Sequence, residues 1–188
     1  NAGALATAGY GTALGVIRSA WSQGKIDQVY ASETRPWLQG LRLTAWELAL
    51  DEIPVTLIVE GAVSSLFAQR EISWVIVGAD RVCANGDVVN KVGTANLAIM
   101  ARHYGISMMV VAPLSTIDLA TTSARDVDIE QRSAQEILGP HYARDSHVSA
   151  WNPVFDVTEA DLVTALVTEK GVVLQPDRKK IAALFEAK

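Results

Sequence analysis

The amino-acid sequence predicts an α/β fold with a doubly wound, mostly parallel sheet and helices on both faces. Short apolar or β-branched runs, among them Val55–Val59 and Trp74–Val77, alternate with segments of helical periodicity. The connections between them are short, which favours parallel strands joined by helical crossovers. About four or five strand–helix units are present, too few for an eight-fold barrel.

The N-terminal third predicts a glycine-rich turn, a helix, a strand and a second helix. Four glycines alternate with small residues and favour a tight turn and close helix packing: Gly3, Gly9, Gly11 and Gly15. The first helix ends at Gly24, and Gln28–Glu33 is strand-like. Pro36 suits the start of the next helix. An apolar stripe at helical spacing follows: Leu43, Trp46 and Leu50.

The middle of the chain predicts two buried strands and a hairpin. A short helix through Gly61–Gln69 separates the strands Val55–Val59 and Trp74–Val77. Asn85-Gly86 lies between Val82 and Val88-Val89, which is a strong signal for a two-residue hairpin.

The rest of the chain continues the alternation after one long polar segment. The predicted elements are a helix over Asn90–Tyr104 with Leu97, Ile99 and Met100 inward, a strand over Ile106–Ala112, a surface excursion over Thr116–Ser149, a strand over Trp151–Val157, a helix from Thr158, a strand over Val172–Leu174 and a helix from Pro176.

Composition limits the class of protein. With 188 residues the chain fits one large domain, and 49% hydrophobic against 20% charged residues excludes disorder. A net charge of −5 without blocks of like charge argues against nucleic acid or an anionic membrane as the main partner. The single cysteine, Cys83, excludes an internal disulfide framework or a multi-cysteine metal cluster and favours the reducing cytoplasm.

Asp80 is the foremost candidate for chemistry. Ligands of open α/β sheets bind beyond the carboxyl ends of the strands, and Asp80 follows the apolar run WVIVGA. An apolar surround raises the pKa of a carboxyl group, which allows it to act as an acid or base near neutrality. The alternative is a structural aspartate that caps a turn or pairs with Arg81.

A phosphate site is the second hypothesis. Asn90, Lys91, Gly93 and Thr94 lie where the hairpin leads into a helix, so backbone N–H groups and one ammonium could meet there. Gln39 follows an earlier strand and carries an amide that can donate to a phosphate or a hydroxyl. The alternatives are a surface lysine beside an ordinary cap and a surface glutamine.

Other features carry weaker signals. GYGTALG has the glycine spacing G-x-G-x-x-x-G, one residue longer than the dinucleotide fingerprint, so a nicotinamide-dependent oxidoreductase is the least favoured function. Cys83 is interpreted as a small buried hydrophobe, and the tryptophans and Met108-Met109 are assigned to the core.

Several blocks together resemble the 5-methylthioribose-1-phosphate isomerases. They are NAGALATAGYGTALGVIRSA, ETRPWLQGLRLTAWEL, VGADRVCANGDVVNKVGTANLAIMARHYGI, WNPVFDVT and TEKGV, and they run in order from Asn1 to about Gly171. The wider family includes the α, β and δ subunits of translation initiation factor 2B and ribose-1,5-bisphosphate isomerase.

The resemblance implies an aldose–ketose isomerisation of 5-methylthioribose 1-phosphate in methionine salvage. It implies that residues 1–188 form a Rossmann-like C-terminal catalytic domain, with Asp80 as the proton donor. It also implies that Gln39, Asn90 and Lys91 bind the sugar phosphate, that no metal or nucleotide cofactor is used, and that the enzyme is a homodimer.

Two departures from the family pattern bear on activity. The family's catalytic cysteine stands directly before N-A-G, which would place it one residue ahead of Asn1, and Cys83 does not match it. The family's N-terminal helical domain, with its arginines, has no counterpart here. We therefore expect a fragment that is inactive alone. A ribose-1,5-bisphosphate isomerase or a non-catalytic regulatory subunit related to initiation factor 2B remain as alternatives.

Overall fold

The computed structural model describes residues 1–142 and 147–186, and it confirms the α/β fold class. The strands within these residues are β1 Val29–Glu33, β2 Val55–Val59, β3 Trp74–Val77, β4 Arg81–Cys83, β5 Val88–Lys91, β6 Ser107–Val111, β7 Ile117–Asp118, β8 Phe155–Thr158, β9 Ala165–Thr168 and β10 Gly171–Leu174. The α-helices are α1 Ala4–Thr7, α2 Ala13–Ser22, α3 Trp46–Leu50, α4 Val63–Gln69, α5 Thr94–Tyr104, α6 Gln135–Tyr142 and α7 Arg178–Glu186.

The strands form three sheets. A two-stranded parallel sheet pairs β1 with β2. A four-stranded sheet has the order β10-β9-β6-β3, in which β3, β6 and β9 are parallel and β10 is antiparallel. A second four-stranded sheet has the order β7-β4-β5-β8 and contains the hairpin. The carboxyl ends of β3 and β6 lie at one edge, as expected for parallel neighbours.

A hairpin forms where it was predicted, but with a three-residue loop in place of the predicted two-residue one, and it changes where the next helix begins. Arg81 and Val82 pair antiparallel with Val89 and Val88, and Cys83 N–H donates to Asp87 O at 2.8 Å, so the loop comprises residues 84–86. The chain then stays extended as far as Lys91, because β5 also pairs with β8 along its whole length. Helix α5 therefore begins at Thr94 and not at Asn90 as predicted.

The largest buried cluster lies between the two four-stranded sheets and α7. It comprises Val82, Val88, Val110, Ala112, Ile117, Val163, Leu166, Val173 and Ile181. A second cluster packs α5 on β3 and β6, and a third joins α2 and α3 to the β1–β2 sheet. Removing these apolar side chains from water is the main stabilising contribution to such a core.

The helix after Gln39 has a different buried face from the predicted one. Its first part, Gly40–Ala45, is a π-helix, and α3 follows directly. The wider winding of a π-helix shifts the phase of every later residue. Trp46 and Leu50 of the predicted stripe are consequently 54% and 63% exposed, while Leu48 is fully buried.

Three further predictions are wrong in detail. No helix starts at Thr158; the residue ends β8 opposite Val88, and a short 3-10 turn leads to β9. In α5 the buried residues are Thr94, Ala98 and Ala101, whereas Ile99 is exposed. Met108 is in the core as predicted, but four of the tryptophans are exposed: Trp37, Trp46, Trp74 and Trp151.

The predicted surface excursion over 116–149 holds β7, a 3-10 turn and α6, and its residues 143–146 lie outside the described residues. No helix in the described ranges is long and apolar enough to cross a bilayer.

Candidate active site

Asp80 lies in the loop between β3 and β4, beyond the carboxyl end of a parallel strand. Its backbone N–H donates to Val89 O at 3.0 Å, which fixes the loop against β5. Among the described residues no group donates a hydrogen bond to its carboxylate. Arg81 turns away and donates to Asp118 and to Thr121 Oγ1, each at 3.2 Å. The structural alternatives, a turn cap or a pair with Arg81, are therefore wrong.

The surroundings of Asp80 favour the protonated form. Partial burial raises the pKa of its carboxyl group above the ordinary value. The ammonium of Lys91 acts in the opposite direction, but burial is the larger effect. A carboxylic acid that keeps its proton closer to neutral pH is suited to general acid catalysis.

Lys91 is the last residue of β5, and its ammonium lies close enough to Asp80 for the two charges to interact. Burial and the nearby Arg132 lower the pKa of its ammonium group. Three carboxylates oppose this shift: Asp80, Glu136 and Glu130. The ammonium makes no hydrogen bond within the described part of the chain, so it is available to an anionic ligand.

Asn90 is more constrained than Lys91. Its amide nitrogen donates to Thr94 Oγ1 at 2.9 Å, and the Thr94 hydroxyl donates to the carbonyl of Lys91 at 2.7 Å. These two contacts fix the turn between β5 and α5. They leave the amide oxygen of Asn90 without a donor among the described residues, so it can accept from a substrate hydroxyl.

The start of α5 is not an open phosphate cradle. Gly93 N–H donates to Asp156 Oδ2 at 2.7 Å, and Ala95 N–H donates to Asp156 Oδ1 at 3.1 Å. The carboxylate of Asp156 thus occupies two of the amides that the sequence hypothesis assigned to phosphate. Asp156 was missed because it follows the helix by more than 50 residues; its only signal was its position in the WNPVFDVT block.

Gln39 stands on a neighbouring loop that β1 holds in place. Glu33 at the end of β1 accepts from Gly40 N–H at 3.3 Å and from Leu41 N–H at 2.6 Å. Only glycine fits at position 40, because a Cβ there would lie 2.2 Å from Ser32 O. The Gln39 side chain makes no hydrogen bond in the described ranges.

The start of α6 contacts the same loop through Glu136 and Ile137. Glu136 Oε2 accepts from Trp37 Nε1 at 3.1 Å and from Asn152 Nδ2 at 3.3 Å, and Arg35 donates to the carbonyl of Ile137. Glu136 and Arg132, which both act on the charge of Lys91, were also missed from the sequence. They lie in a polar segment without regular periodicity.

Cys83 and the glycine-rich stretch play structural parts. Cys83 is fully buried, and burial, with the nearby carboxylate of Asp87, raises the pKa of its thiol to about 11. The prediction of a small buried hydrophobe is confirmed. Gly11 adopts a φ of +88° in the turn before α2, as the turn interpretation of GYGTALG requires.

The described residues contain no group of three or more His, Cys, Asp or Glu side chains arranged to hold a metal ion.

Comparison with known proteins gives one consistent family. The model of the initiation factor 2 subunit family matches residues 3–175. A methylthioribose-1-phosphate isomerase of Thioalkalivibrio sulfidiphilus is 58% identical over 99% of this chain and 54% of its own length. One of Azotobacter vinelandii is 57% identical over 100% of this chain and 53% of its own length. The chain thus spans about half the length of these relatives.

Two solved structures share the fold closely. The 5-methylthioribose 1-phosphate isomerase from Pyrococcus horikoshii OT3 superposes with a TM-score of 0.93 at 43% identity, over 100% of this chain and 53% of that one. The translation initiation factor eIF-2B, subunit delta, from A. fulgidus superposes with a TM-score of 0.92 at 44% identity, over 100% of this chain and 55% of that one.

Proposed function

The chain belongs to the initiation factor 2 subunit family, and from this membership we propose that it forms the catalytic part of an isomerase that converts 5-methylthioribose 1-phosphate to 5-methylthioribulose 1-phosphate. The observation that carries the proposal is the partly buried Asp80 carboxyl, which has no hydrogen-bond donor among residues 1–142 and 147–186 and lies near the ammonium of Lys91. The names of relatives at 57% and 58% identity support the same reaction.

The substrate's chemistry explains the need for an acid. The phosphate on C1 prevents the sugar ring from opening as a free hemiacetal would. In the proposed reaction Asp80 gives its proton to the ring oxygen as the bond between that oxygen and C1 breaks. C1 then gains the hydrogen that C2 loses, and the C2 hydroxyl proton returns to the Asp80 carboxylate as the ketone forms. Substrate and product are isomers, so no external oxidant or reductant is consumed.

Binding falls to side chains around Asp80. We propose that Lys91 pairs with the phosphate, since a charge-assisted contact to an ammonium is stronger than a neutral one. Asn90 and Gln39 then bind phosphate oxygens or sugar hydroxyls. Because Asp156 occupies the amides at the start of α5, the phosphate contacts come from side chains rather than from that helix terminus.

The complete enzyme is proposed to need more than these residues. The cysteine expected before Asn1 would emerge beside Asp80 and Lys91, because the Asn1 amino group interacts with both. We further propose a partner N-terminal helical domain, a cytoplasmic homodimer, and a place in methionine salvage.

A second candidate function is a non-catalytic regulatory subunit. The A. fulgidus structure, named as an initiation factor subunit, has a TM-score as high as that of the isomerase structure, so fold alone does not separate the two. A regulatory subunit has no need of a partly buried acid that lies near an ammonium and has no hydrogen-bond donor among the described residues. The raised pKa that burial gives the Asp80 carboxyl therefore supports the enzyme.

The test is turnover by the full-length protein, followed by NMR of the sugar phosphate. We expect ketose formation from 5-methylthioribose 1-phosphate, a much slower reaction with ribose 1,5-bisphosphate, and none with Asp80→Asn, which should still bind substrate. Faster turnover of the bisphosphate would reassign the substrate. No turnover of either sugar phosphate, or wild-type turnover by Asp80→Asn, would refute the proposal.

A further inference from the structure

The three residues before α1, Asn1–Gly3, form a non-helical segment that we call the N-terminal strap. Ala2 O accepts from Thr12 N–H at 3.0 Å and from Leu14 N–H at 3.3 Å, at the start of α2. The Asn1 side chain accepts from Gly3 N–H at 2.9 Å within the strap and donates to Thr44 Oγ1 at 3.3 Å. The strap is thus restrained by the start of α2 and by the π-helix that contains Thr44.

The strap lies on the loop that carries Asp80. A Cβ added to Gly78, two residues before Asp80, would lie only 3.0 Å from the Cβ of Ala2. The strap therefore packs directly on the backbone that leads to the acid. Any displacement of the strap changes the surroundings of Asp80.

Glu47 of α3 accepts a hydrogen bond where the strap joins α1. The residue is only 4% exposed, and its Oε2 accepts from Ala4 N–H at 2.8 Å. Its Oε1 is buried and has no hydrogen-bond partner in the described part of the chain. Gly3 lies against the same carboxylate, since a Cβ there would be 2.1 Å from Oε2 and 2.6 Å from Oε1. A buried carboxylate with one oxygen unpartnered is costly, and such a group is retained where it fixes a geometry.

Arg18 compensates the charge of Glu47. Its Nη2 donates to Glu47 Oε2 at 3.0 Å, and its Nε donates to Asp51, which is on the surface. Its Nη1 donates to the carbonyl of Tyr10. The guanidinium and the Ala4 amide thus donate to the same oxygen of Glu47.

We propose that Glu47 is a positioning residue that, with Arg18, holds the N-terminal strap in register with Asp80, so that the group preceding Asn1 and the acid share one geometry. The proposal rests on the function proposed above. Among the described residues Glu47 hydrogen-bonds the Ala4 amide and Arg18, and it makes no hydrogen bond with the binding groups Lys91 and Gln39. Its loss therefore affects the chemical step more than binding.

The experiment compares two pairs of variants in the full-length protein. Glu47→Gln keeps the size of the side chain and removes the negative charge that Ala4 N–H and Arg18 contact, and Asp51→Asn alters the other carboxylate of Arg18 without touching the strap. Gly3→Ala forces the strap and the Glu47 carboxylate apart while leaving the charge of Glu47 in place, whereas a Cβ on Gly9 would meet only Thr7 O at 3.8 Å, so Gly9→Ala is the matched control.

We expect Glu47→Gln and Gly3→Ala to lower kcat at least about 10-fold with KM within about 2-fold, and the two controls to change neither. Hydrogen exchange of the Ala4 amide should accelerate in Glu47→Gln and Gly3→Ala but not in the two control variants. The core amide of Val110 should stay protected in all four. Gly3→Ala keeps the test available if Glu47→Gln does not fold.

Unchanged kcat in a folded Glu47→Gln or Gly3→Ala protein, or unchanged Ala4 exchange, would overturn the proposal. A parallel loss in the control variants would do so as well. If the wild-type protein shows no isomerase activity, the proposed function fails, but Ala4 exchange still decides whether Glu47 holds the strap.

Discussion

Asp156 accepts a hydrogen bond from Gly93 N–H at 2.7 Å and joins β8 to the turn that carries Lys91. It accepts a second bond from Ala95 at 3.1 Å and so caps the N-terminus of α5 from a distant part of the chain. The cap neutralises part of the helix dipole and fixes the path of the backbone just after Asn90 and Lys91. The position of the proposed phosphate ligand thus depends on a contact between β8 and the start of α5.

Replacement of Asp156 should destabilise the fold. We expect Asp156→Ala to lower the free energy of unfolding by about 1–2 kcal/mol, because two helix N–H groups lose their acceptor. Urea denaturation measures the change. Asp177 accepts from Lys180 N–H at the exposed start of α7, and Asp177→Ala serves as the comparison. An Asp156→Ala protein as stable as the wild type would show that the cap is dispensable.

The titration of Asp80 should respond to Lys91. Burial raises the pKa of the carboxyl above its ordinary value of 3.8, and the ammonium of Lys91 lowers it. Lys91→Met should therefore raise the pKa further, whereas Arg81→Met should leave it nearly unchanged, because Arg81 pairs with Asp118. Carbon-13 NMR of the carboxyl group measures both.

The raised pKa of Asp80 also determines how this residue makes the free energy of unfolding depend on pH. A carboxyl with a raised pKa holds its proton more tightly in the folded state, so its contribution is fully present below pH 3.8 and is lost as the pH rises through the raised value. Asp80→Asn should remove this part of the pH dependence. A wild-type Asp80 that titrates at or below 3.8 would contradict both expectations.

Loss of the Lys91 ammonium should weaken substrate binding more than the chemical step. Lys91→Ala removes one charge-assisted contact to phosphate, about 1.5–3 kcal/mol, which corresponds to roughly a 10- to 150-fold rise in KM. Steady-state kinetics of the full-length protein measure it, with exposed Lys25→Ala as the control. A fall in kcat at unchanged KM would instead place Lys91 in the chemical step.

Thr158 offers a stability test away from the site. The residue is 0% exposed, and its hydroxyl has no hydrogen-bond partner among the residues that the structure describes. Thr158→Val should raise the free energy of unfolding by about 1 kcal/mol, since an unsatisfied buried hydroxyl is costly. Thr164 is the matched control, because its hydroxyl accepts from Met108 N–H at 3.0 Å. Thr164→Val should destabilise, and destabilisation by Thr158→Val would refute the assignment.

Local pattern was sufficient to predict some elements. The strands Val55–Val59 and Trp74–Val77 have the bounds predicted from their apolar runs, and a hairpin forms at Asn85-Gly86, with a loop one residue longer than predicted. The position of Asp80 beyond β3 followed from the same reasoning. These features depend on residues close together in the sequence.

Features that depend on distant contacts were not predictable from one sequence. The π-helix that exposes Trp46 follows from the close approach of Gly40 to Ser32, which no helical pattern encodes. The cap by Asp156 and the contacts of Glu136 with Trp37 connect residues that lie far apart in the chain. Tertiary packing overrides local propensity at such positions.

The burial of Cys83 makes thiol chemistry selective. A thiol that is fully buried, with its pKa raised to about 11, presents almost no thiolate to an alkylating reagent at neutral pH. In a native full-length protein, any cysteine that reacts quickly with iodoacetamide therefore lies outside residues 1–188. Labelling of the native protein would then count such accessible thiols without a background from Cys83, which reacts only after unfolding.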